Sequence, residues 1–423
     1  MPRVSERKQV IAALEQQFID TTSAMTEDIR LLLRMSEIIN DEDMVSYYKD
    51  VASIYEIYLA GEIDVYNDMK AKIESSRYLH KGKNDAPKFM TKEESLDHLL
   101  DLDEEGFLEE FRMSKASFYK IHDLVKDHFL YRSTAKSMQT DTRLQIAVVL
   151  RRLQANSNTL SLNALSNLWG VGKGSVNNFT NRFFNVILSL EKEFVHWPRE
   201  HEKQEIIKEN KKPLGFPDLV GFLGGCTFQL AHVQSWKPER FSGPDSKYYV
   251  NSIGICDHKM RIRYFAQPVE LGNSPDLRIF SDCELGRFPK RFFFGDEYVL
   301  ASRGGYKPLE YLVPVKTKEP GQERLPKSDE VFNSYISIMC LKINHAFGIL
   351  KERFSSLNEI PVKVKNMDDA KLVNEWIRVC IILNNLLMDQ EDDKWTIQVK
   401  AEWAEKGKAD IKRIRKEVSG EDC

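Results

Sequence analysis

The chain has 423 residues, of which 42% are apolar and 30% charged, and its formal net charge is −3. This balance excludes a long disordered chain and leaves enough apolar residues for two or three folded domains. The near-neutral charge also excludes a chain-wide attraction for nucleic acid, so any DNA contact requires a local basic face.

Cysteine use and hydropathy indicate the compartment. The six cysteines are Cys226, Cys256, Cys283, Cys340, Cys380 and Cys423. None forms a Cys-x-x-Cys pair or a cluster with zinc-ligand spacing, so we expect reduced thiols in an intracellular protein. Residues 1–4 lack the apolar core of a signal peptide, and the most apolar run, 379–383, is far too short to span a membrane.

Residues 1–80 are predicted to form helices. Apolar side chains recur there at three- and four-residue spacing, a pattern typical of an amphipathic helix. The stripe consists of Val45, Tyr48, Ala52, Tyr55 and Leu59. It either packs on a neighbouring helix of the same chain or belongs to a partner-binding appendage, and the sequence leaves both interpretations open. The polar residues that follow predict a linker over 81–99.

Residues 100–210 again have a helical pattern, which predicts a bundle. Within it, residues 161–179 read as a short helix, a glycine-containing turn and a second helix, as in a helix-turn-helix unit. The second helix would present side chains suited to phosphates or adenine: Lys173, Ser175, Asn177, Asn178 and Arg182. Plain helical bundles have the same local geometry, so DNA contact is one of two interpretations.

Residues 211–390 change to a β-rich pattern. Strands are predicted over 219–223, 226–230, 248–256, 261–266, 298–301 and 311–313. A helix is predicted from Pro275, and long helices are predicted through Phe347 and over 373–387. Strands followed by interleaved helices indicate an α/β domain with a mixed sheet. The last segment, 391–423, is predicted to be a charged helix or tail.

One segment carries a specific motif, because residues 347–354 read Phe-Gly-Ile-Leu-Lys-Glu-Arg-Phe. It resembles the last catalytic helix of the PIF/Harbinger family of transposases and transposase-derived nucleases. That helix usually reads as a glutamate, a small polar pair and Phe-Gly-x-Leu-Lys-x-Arg-Phe. Further blocks resemble the family in the same order, at 249–257, 272–280, 295–301 and 383–385. The resemblance implies an RNase H-like fold preceded by an all-α region with a helix-turn-helix-like bundle.

The resemblance also implies where three metal-binding carboxylates would lie. In such nucleases two divalent cations about 4 Å apart activate water and stabilise the leaving oxygen, and they need clustered anionic ligands. The corresponding positions hold Gly224, Ser302 and Asn344. One extra residue leaves the second position ambiguous between Ser302 and Arg303. Since none of these residues is acidic, we expect the Mg²⁺ or Mn²⁺ site to be lost, and hydrolysis with it.

Other acidic residues are weaker candidates for a relocated site. Glu352 follows Asn344 by eight residues on the same helix, about 12 Å along its axis. Four aspartates match family positions outside the catalytic triad, where turn and capping roles are expected: Asp257, Asp276, Asp282 and Asp296. Ser302 is a weaker candidate still as a nucleophile, because no histidine base lies in a recognisable relation to it.

The leading hypothesis is a domesticated, catalytically inactive transposase-derived protein that acts in the nucleus by binding DNA or a chromatin complex, without a cofactor. The resemblance implies protein partners, such as a Myb-like DNA-binding protein or a chromatin-regulating complex, and no membrane. The basic stretches 316–318 and 406–416 indicate solvated faces or, alternatively, a nuclear-entry signal or a DNA-backbone patch. The alternatives are an active metal-dependent endonuclease with rearranged carboxylates and a scaffold that binds only protein.

Overall fold

Two compact units, Met1–Lys88 and Phe89–Cys423, make up the chain in the computed structural model. The structure describes residues 6–38, 42–75, 91–132, 139–155, 161–233, 237–243, 245–268, 271–302, 305–318, 322, 324–390 and 393–419. The second unit contains the predicted bundle, the predicted sheet domain and the C-terminal segment together. The finer domain boundaries stay predictions.

Unit 1 is a hairpin of two long helices, α1 (Glu6–Ile38) and α2 (Glu42–Ser75). The helices are antiparallel, because Phe18 near the start of α1 stacks on Tyr66 near the end of α2, and Lys70 pairs with Glu15 at 2.8 Å. The predicted apolar stripe on α2 is buried or half-buried throughout. It lies on the side of α2 that α1 covers, which supports the interpretation of packing within the chain.

Unit 2 begins with an all-helical region. Its helices are α3 (Lys92–Asp101), α4 (Glu104–Phe111), α5 (Lys115–Val125), α6 (Thr142–Gln154), α7 (Leu162–Leu168), α8 (Lys173–Ser189), α9 (Glu191–Phe194) and α10 (Glu200–Leu214). Helix α3 begins inside the predicted linker, because Thr91 and Glu94 form a reciprocal capping box with bonds of 3.1 and 2.6 Å. Residues 76–90 of the predicted appendage and linker lie outside the described residues.

A six-stranded mixed sheet follows the helical region. Its strands are β1 (Leu219–Val233), β2 (Tyr248–Cys256), β3 (Ile262–Ala266), β4 (Tyr298–Ala301), β5 (Leu312–Pro314) and β6 (Ile360–Val364). The order is β3-β2-β1-β4-β5, with β6 paired to the far end of β1. Strands β1, β2 and β3 are antiparallel, whereas β4, β5 and β6 run parallel to their neighbours. This is an RNase H-like α/β domain, and the predicted fold class is confirmed.

Helices cover both faces of the sheet. They are α11 (Asp276–Asp282), α12 (Glu284–Arg287), α13 (Lys327–Arg353), α14 (Met367–Met388) and α15 (Lys394–Ser419). Along β1, alternate residues enter two cores: Phe222 joins the core shared with α13, α14 and the N-terminal helices, while Leu223 joins a smaller core with α11 and α12. The two predicted strands at 219–230 form one continuous strand, and β6 was not predicted.

Helix α15 is a packed element of unit 2. Asp393 caps its start by accepting hydrogen bonds from the Thr396 backbone at 3.1 Å and from the Ser114 backbone at 2.7 Å. Arg353, at the end of α13, is fully buried 3.7 Å from Asp393 and donates to the Thr396 hydroxyl at 2.6 Å. The predicted charged helix or tail is therefore a helix that is joined to α13 by a buried ion pair.

The five described cysteines form no disulfide, and four of them are buried. Among the described residues, no helix is both long enough and apolar enough to cross a membrane. The basic stretch on α15 is interleaved with acids, since Lys408 pairs with Glu405 and Arg413 with Asp410. This pairing agrees with a solvated face and leaves nuclear entry a prediction.

Candidate functional site

The fold brings together the three residues that are predicted to occupy the acid positions. Strands β1 and β4 pair in parallel with Leu223 opposite Ala301, so Gly224 and Ser302 follow at the same level. Helix α13 packs on β1 here and places Ile343 against Gly224, and Asn344 is the next residue in the chain. The structure therefore assembles the expected site geometry from residues that carry no carboxylate. Arg303, the alternative second position, lies outside the described residues.

Position 224 lacks space as well as charge. A Cβ at Gly224 would lie 2.8 Å from Ile343 Cγ2 and 3.0 Å from Cγ1, closer than atoms in van der Waals contact. Ile343 is fully buried and β-branched, so it has little freedom to move aside. An aspartate at 224 would therefore require the core between β1 and α13 to repack.

A cavity of about 730 Å³ lies beside these positions. Its walls come from β1, the end of β4, α13 and α15, and they include Gly225, Ser302, Asn344, Lys351, Trp403 and Arg413. All four elements belong to unit 2. The cavity thus lies at two of the predicted acid positions, Ser302 and Asn344, with α15 as an additional wall.

Acidic side chains near the cavity are few and scattered. Asp276, at the start of α11, has its carboxylate against Gly225, and burial raises its pKa. Asp410 of α15 lines the cavity but is paired with Arg413 at 2.9 Å. Within the described part of the chain, no three His, Cys, Asp or Glu side chains are grouped so that they could hold a metal ion.

Cationic and neutral groups face the cavity instead. Lys351 Nζ donates to the Thr227 carbonyl at 2.6 Å and lies over the Phe228 ring. His345 is more than nine-tenths buried, and burial lowers its pKa, so the neutral imidazole is favoured. Burial also raises the pKa of Cys226 to about 11, so its thiol stays protonated near neutral pH. Lys351 thus adds a cation to the cavity wall, and His345 and Cys226 add neutral side chains.

Two glycines let α15 pack closely on α13. The Trp403 ring occupies the space where Gly348 would otherwise carry a Cβ, and a Cβ at Gly407 would lie 2.9 Å from the His345 ring. The Trp403 indole N–H also donates to Glu352 Oε2 at 2.9 Å. Glu352, considered above as a substitute acid, is therefore engaged with α15.

The remaining predicted acids have structural contacts. Asp257 is fully buried in the turn after β2, where it accepts from the Lys259 and Arg261 backbones and pairs with Arg263 at 2.8 Å. Asp282 lies 3.8 Å from Arg278 on the same helix. Asp296 is exposed in the turn before β4. These contacts agree with the turn and sheet-edge roles expected for Asp257 and Asp296.

The predicted DNA-contact residues divide into two groups. The second helix of the unit is α8, and a turn with Gly170 at φ +57° joins it to α7, so the expected local geometry is present. Lys173, Asn177 and Asn178 are exposed on α8, with Ser175 half-buried beside them. Arg182 points inward, donating to Gln145 Oε1 and stacking on Tyr131. DNA contact stays a prediction for α8, and Arg182 is held within the bundle.

Sequence reasoning missed the residues that α15 adds to the site. Trp403, Asp410 and Arg413 are about 60 residues from Asn344 in sequence, and no motif joins them. The available signal was the glycines: Gly348 and Gly407 both lie inside helices, where glycine is unfavourable unless a close approach requires it. Asp276 had been noted but not placed beside Gly225.

Comparison with known proteins agrees with this geometry. Residues 223–385 match the family described as DDE superfamily endonuclease. The chain is similar to the Arabidopsis thaliana protein named antagonist of like heterochromatin protein 1, with 24% identity over 299 residues, covering 67% of this chain and 72% of the relative. It is also similar to an Arabidopsis ALP1-like protein, with 24% identity over 330 residues, covering 69% and 72%. No solved structure is significantly similar. Residues 223–385 are therefore similar to the DDE superfamily endonuclease family, in the part of unit 2 that forms the sheet and the cavity.

Proposed function

We propose that this chain is a transposase-derived protein that has lost nuclease activity and acts in the nucleus by binding partners. The partners would be a Myb-like DNA-binding protein or a chromatin complex, together with duplex DNA at α8. In this function the RNase H-like domain serves as a scaffold and no metal cofactor is used.

The observation that carries the proposal is the composition of the assembled site. The fold brings Gly224 level with Ser302, and Ser302 and Asn344 line the cavity, yet none of the three can supply the negative charge that two divalent ions require. Ile343 occupies the side-chain space at 224, and Lys351 adds a positive charge nearby. Loss of one acid would leave a weakened site, whereas this set leaves no anionic ligand at any of the three positions.

The relatives support a role in chromatin. One of them is named for antagonism of like heterochromatin protein 1. That name refers to a heterochromatin protein, which favours a role in chromatin for this chain as well. Similarity over about two thirds of both chains supports the transfer of this general role, and with it a nuclear location.

A second candidate function is an endonuclease with relocated acids. The observation in its favour is the Asp276 carboxylate, which lies against Gly225, one residue after the first acid position. Asp410 also reaches the cavity, although Arg413 neutralises it. If Asp276 binds a metal ion, removal of its carboxylate should abolish metal binding.

Titration of the protein with Mn²⁺, measured by isothermal calorimetry, distinguishes the two functions. We expect no saturable binding at micromolar Mn²⁺ and no cleavage of supercoiled plasmid, because the three ligand positions are uncharged. The matched variant is Asp276→Asn, which removes the carboxylate that lies against Gly225 and keeps the side-chain volume. Saturable binding that Asp276→Asn abolishes would establish the endonuclease candidate and overturn the proposal.

A further inference from the structure

Unit 1 exposes an apolar surface that contact between its own two helices leaves uncovered. Among the described residues, 23 large apolar side chains are exposed, and 13 of them lie in α1 and α2. These two helices form only a small part of the described chain. A concentration of this kind on one element is typical of a protein interaction site.

The exposed residues of α2 follow a regular pattern. The outer stripe, defined as Tyr47, Ile54, Tyr58 and Val65, has at least half of each side chain exposed. Its members are 7, 4 and 7 residues apart, so at about 100° per residue they fall within about 40° of one another. This is the spacing of the apolar seam of a coiled coil.

Helix α2 therefore carries two such seams. The inner stripe, defined as Val45, Tyr48, Ala52, Tyr55 and Leu59, lies on the side covered by α1. The outer stripe begins two residues later with the same periodicity, about 120° away around the helix. A helix with two heptad seams has places for two helical neighbours, and α1 fills only one of them.

Charge around the outer stripe indicates the second neighbour. Helices α1 and α2 together contain fourteen acidic and seven basic residues, a net charge of −7. Asp50 and Glu62 are exposed about 60° to either side of the outer stripe, at positions that flank a coiled-coil seam. A second copy of this hairpin would bring acidic flanks against acidic flanks, which is unfavourable.

We propose that the outer stripe of α2 binds an amphipathic helix of a partner protein whose flanking positions are lysine or arginine. The partner helix extends the α1–α2 hairpin to a three-helix coiled coil. This inference rests on the proposed function, because it names the surface and the kind of partner through which the protein would join a complex.

The probe is a synthetic heptad-repeat peptide of about 28 residues with leucine in the seam and lysine at the flanking positions. Fluorescence anisotropy measures its binding to the full-length protein, and a peptide with glutamate at the same flanks is the comparison. We expect the lysine peptide to bind about tenfold or more tightly than the glutamate peptide. Tyr58→Asp should weaken binding of the lysine peptide by about tenfold or more.

Matched variants separate the stripe from general charge and from folding. Asn67→Asp adds the same negative charge on the opposite face of α2 and should leave binding unchanged. Ile54→Ser removes apolar area without charge and should weaken binding in the same direction as Tyr58→Asp. Circular dichroism of each variant establishes that the helical content is retained.

Several outcomes would overturn the inference. Equal binding of the two peptides would show that the charged flanks do not select the partner. Equal binding of the lysine peptide to wild type and to Tyr58→Asp would show that the outer stripe is not the binding site. A dimer in sedimentation that Tyr58→Asp dissociates would make a second copy the occupant, and binding of neither peptide would mean that the surface is covered within the chain. None of these outcomes affects the manganese titration, which tests unit 2.

Discussion

The cavity of unit 2 and the hairpin of unit 1 use side chains in opposite ways. At the cavity, polar and aromatic groups are engaged with one another: Trp403 lies on Gly348 and donates to Glu352, and Asp410 pairs with Arg413. On the hairpin, tyrosine and isoleucine side chains of the outer stripe remain exposed. These side chains at the cavity have partners within unit 2, whereas the outer stripe of the hairpin is exposed to solvent.

The difference indicates where the function of the protein lies. A catalytic site needs unsatisfied ligands aimed into a cleft, whereas a binding site needs exposed apolar area with suitable charged flanks. The three predicted acid positions carry no carboxylate, whereas the hairpin exposes apolar side chains with Asp50 and Glu62 beside them. In the proposed function, unit 2 serves as a scaffold and the hairpin of unit 1 provides recognition.

The largest effect on stability is expected where α15 is joined to α13, because a buried ion pair holds the two helices together there. Arg353→Met would leave Asp393 buried without its ion-pair partner, and loss of one member of a buried pair costs about 3–5 kcal/mol. Urea unfolding of the full chain, followed by tryptophan fluorescence, measures the change. All six tryptophans follow residue 88 in the sequence, so the signal reports on unit 2 alone.

The control for this prediction is Arg291→Met, which removes an exposed ion pair with Glu284 of 2.9 Å. A surface pair of this kind contributes little, so unfolding should hardly change. If Arg353→Met were no more destabilising than this control, α15 would not be held by the buried pair, and the contrast between the two regions would weaken.

An intermediate effect is expected at the glycine that admits Trp403. Gly348→Ala places a methyl group where the indole ring lies, and overpacking of this kind costs about 1–3 kcal/mol, more than the gain in helix propensity. Gly174→Ala is the matched control, since nothing lies within 4 Å of its added methyl. The same fluorescence-detected unfolding should show destabilisation for the first variant only; an equal result for both would mean that α15 does not press on α13.

The smallest effect is expected at α8. If this helix binds DNA, unit 2 also has an exposed binding surface, and the contrast with unit 1 is weaker. If Lys173 contacts a phosphate, Lys173→Ala should lower duplex-DNA affinity and reduce the slope of log affinity against log salt by about one. Anisotropy with a labelled duplex across a salt series measures both quantities. Lys371→Ala, at an exposed lysine of α14, should leave the slope unchanged. Absence of binding at low salt would leave protein contacts as the only interaction of the chain.

Much of the fold was predictable because its signals are local or ordered along the chain. The spacing of Val45 to Leu59 predicted α2, and the motif at 347–354 located the last helix of the RNase H-like core. Strand β6 was missed because a five-residue strand next to a helix has little periodicity. Arg182 was predicted to face DNA, but its side chain contacts Tyr131 and Gln145 inside the bundle. Helical spacing alone does not predict these contacts.

By itself, the sequence predicted which residues occupy the three acid positions, apart from the choice between Ser302 and Arg303, because motif order and side-chain identity are properties of the chain. It also determined that α2 carries two heptad stripes, since that depends only on spacing. Only the tertiary structure decided that Ile343 fills the space at Gly224, that Asp276 lies against Gly225, and that α15 forms a wall of the cavity. Those facts arise from contacts between residues far apart in sequence, where packing and close approach, and not local propensity, select the arrangement.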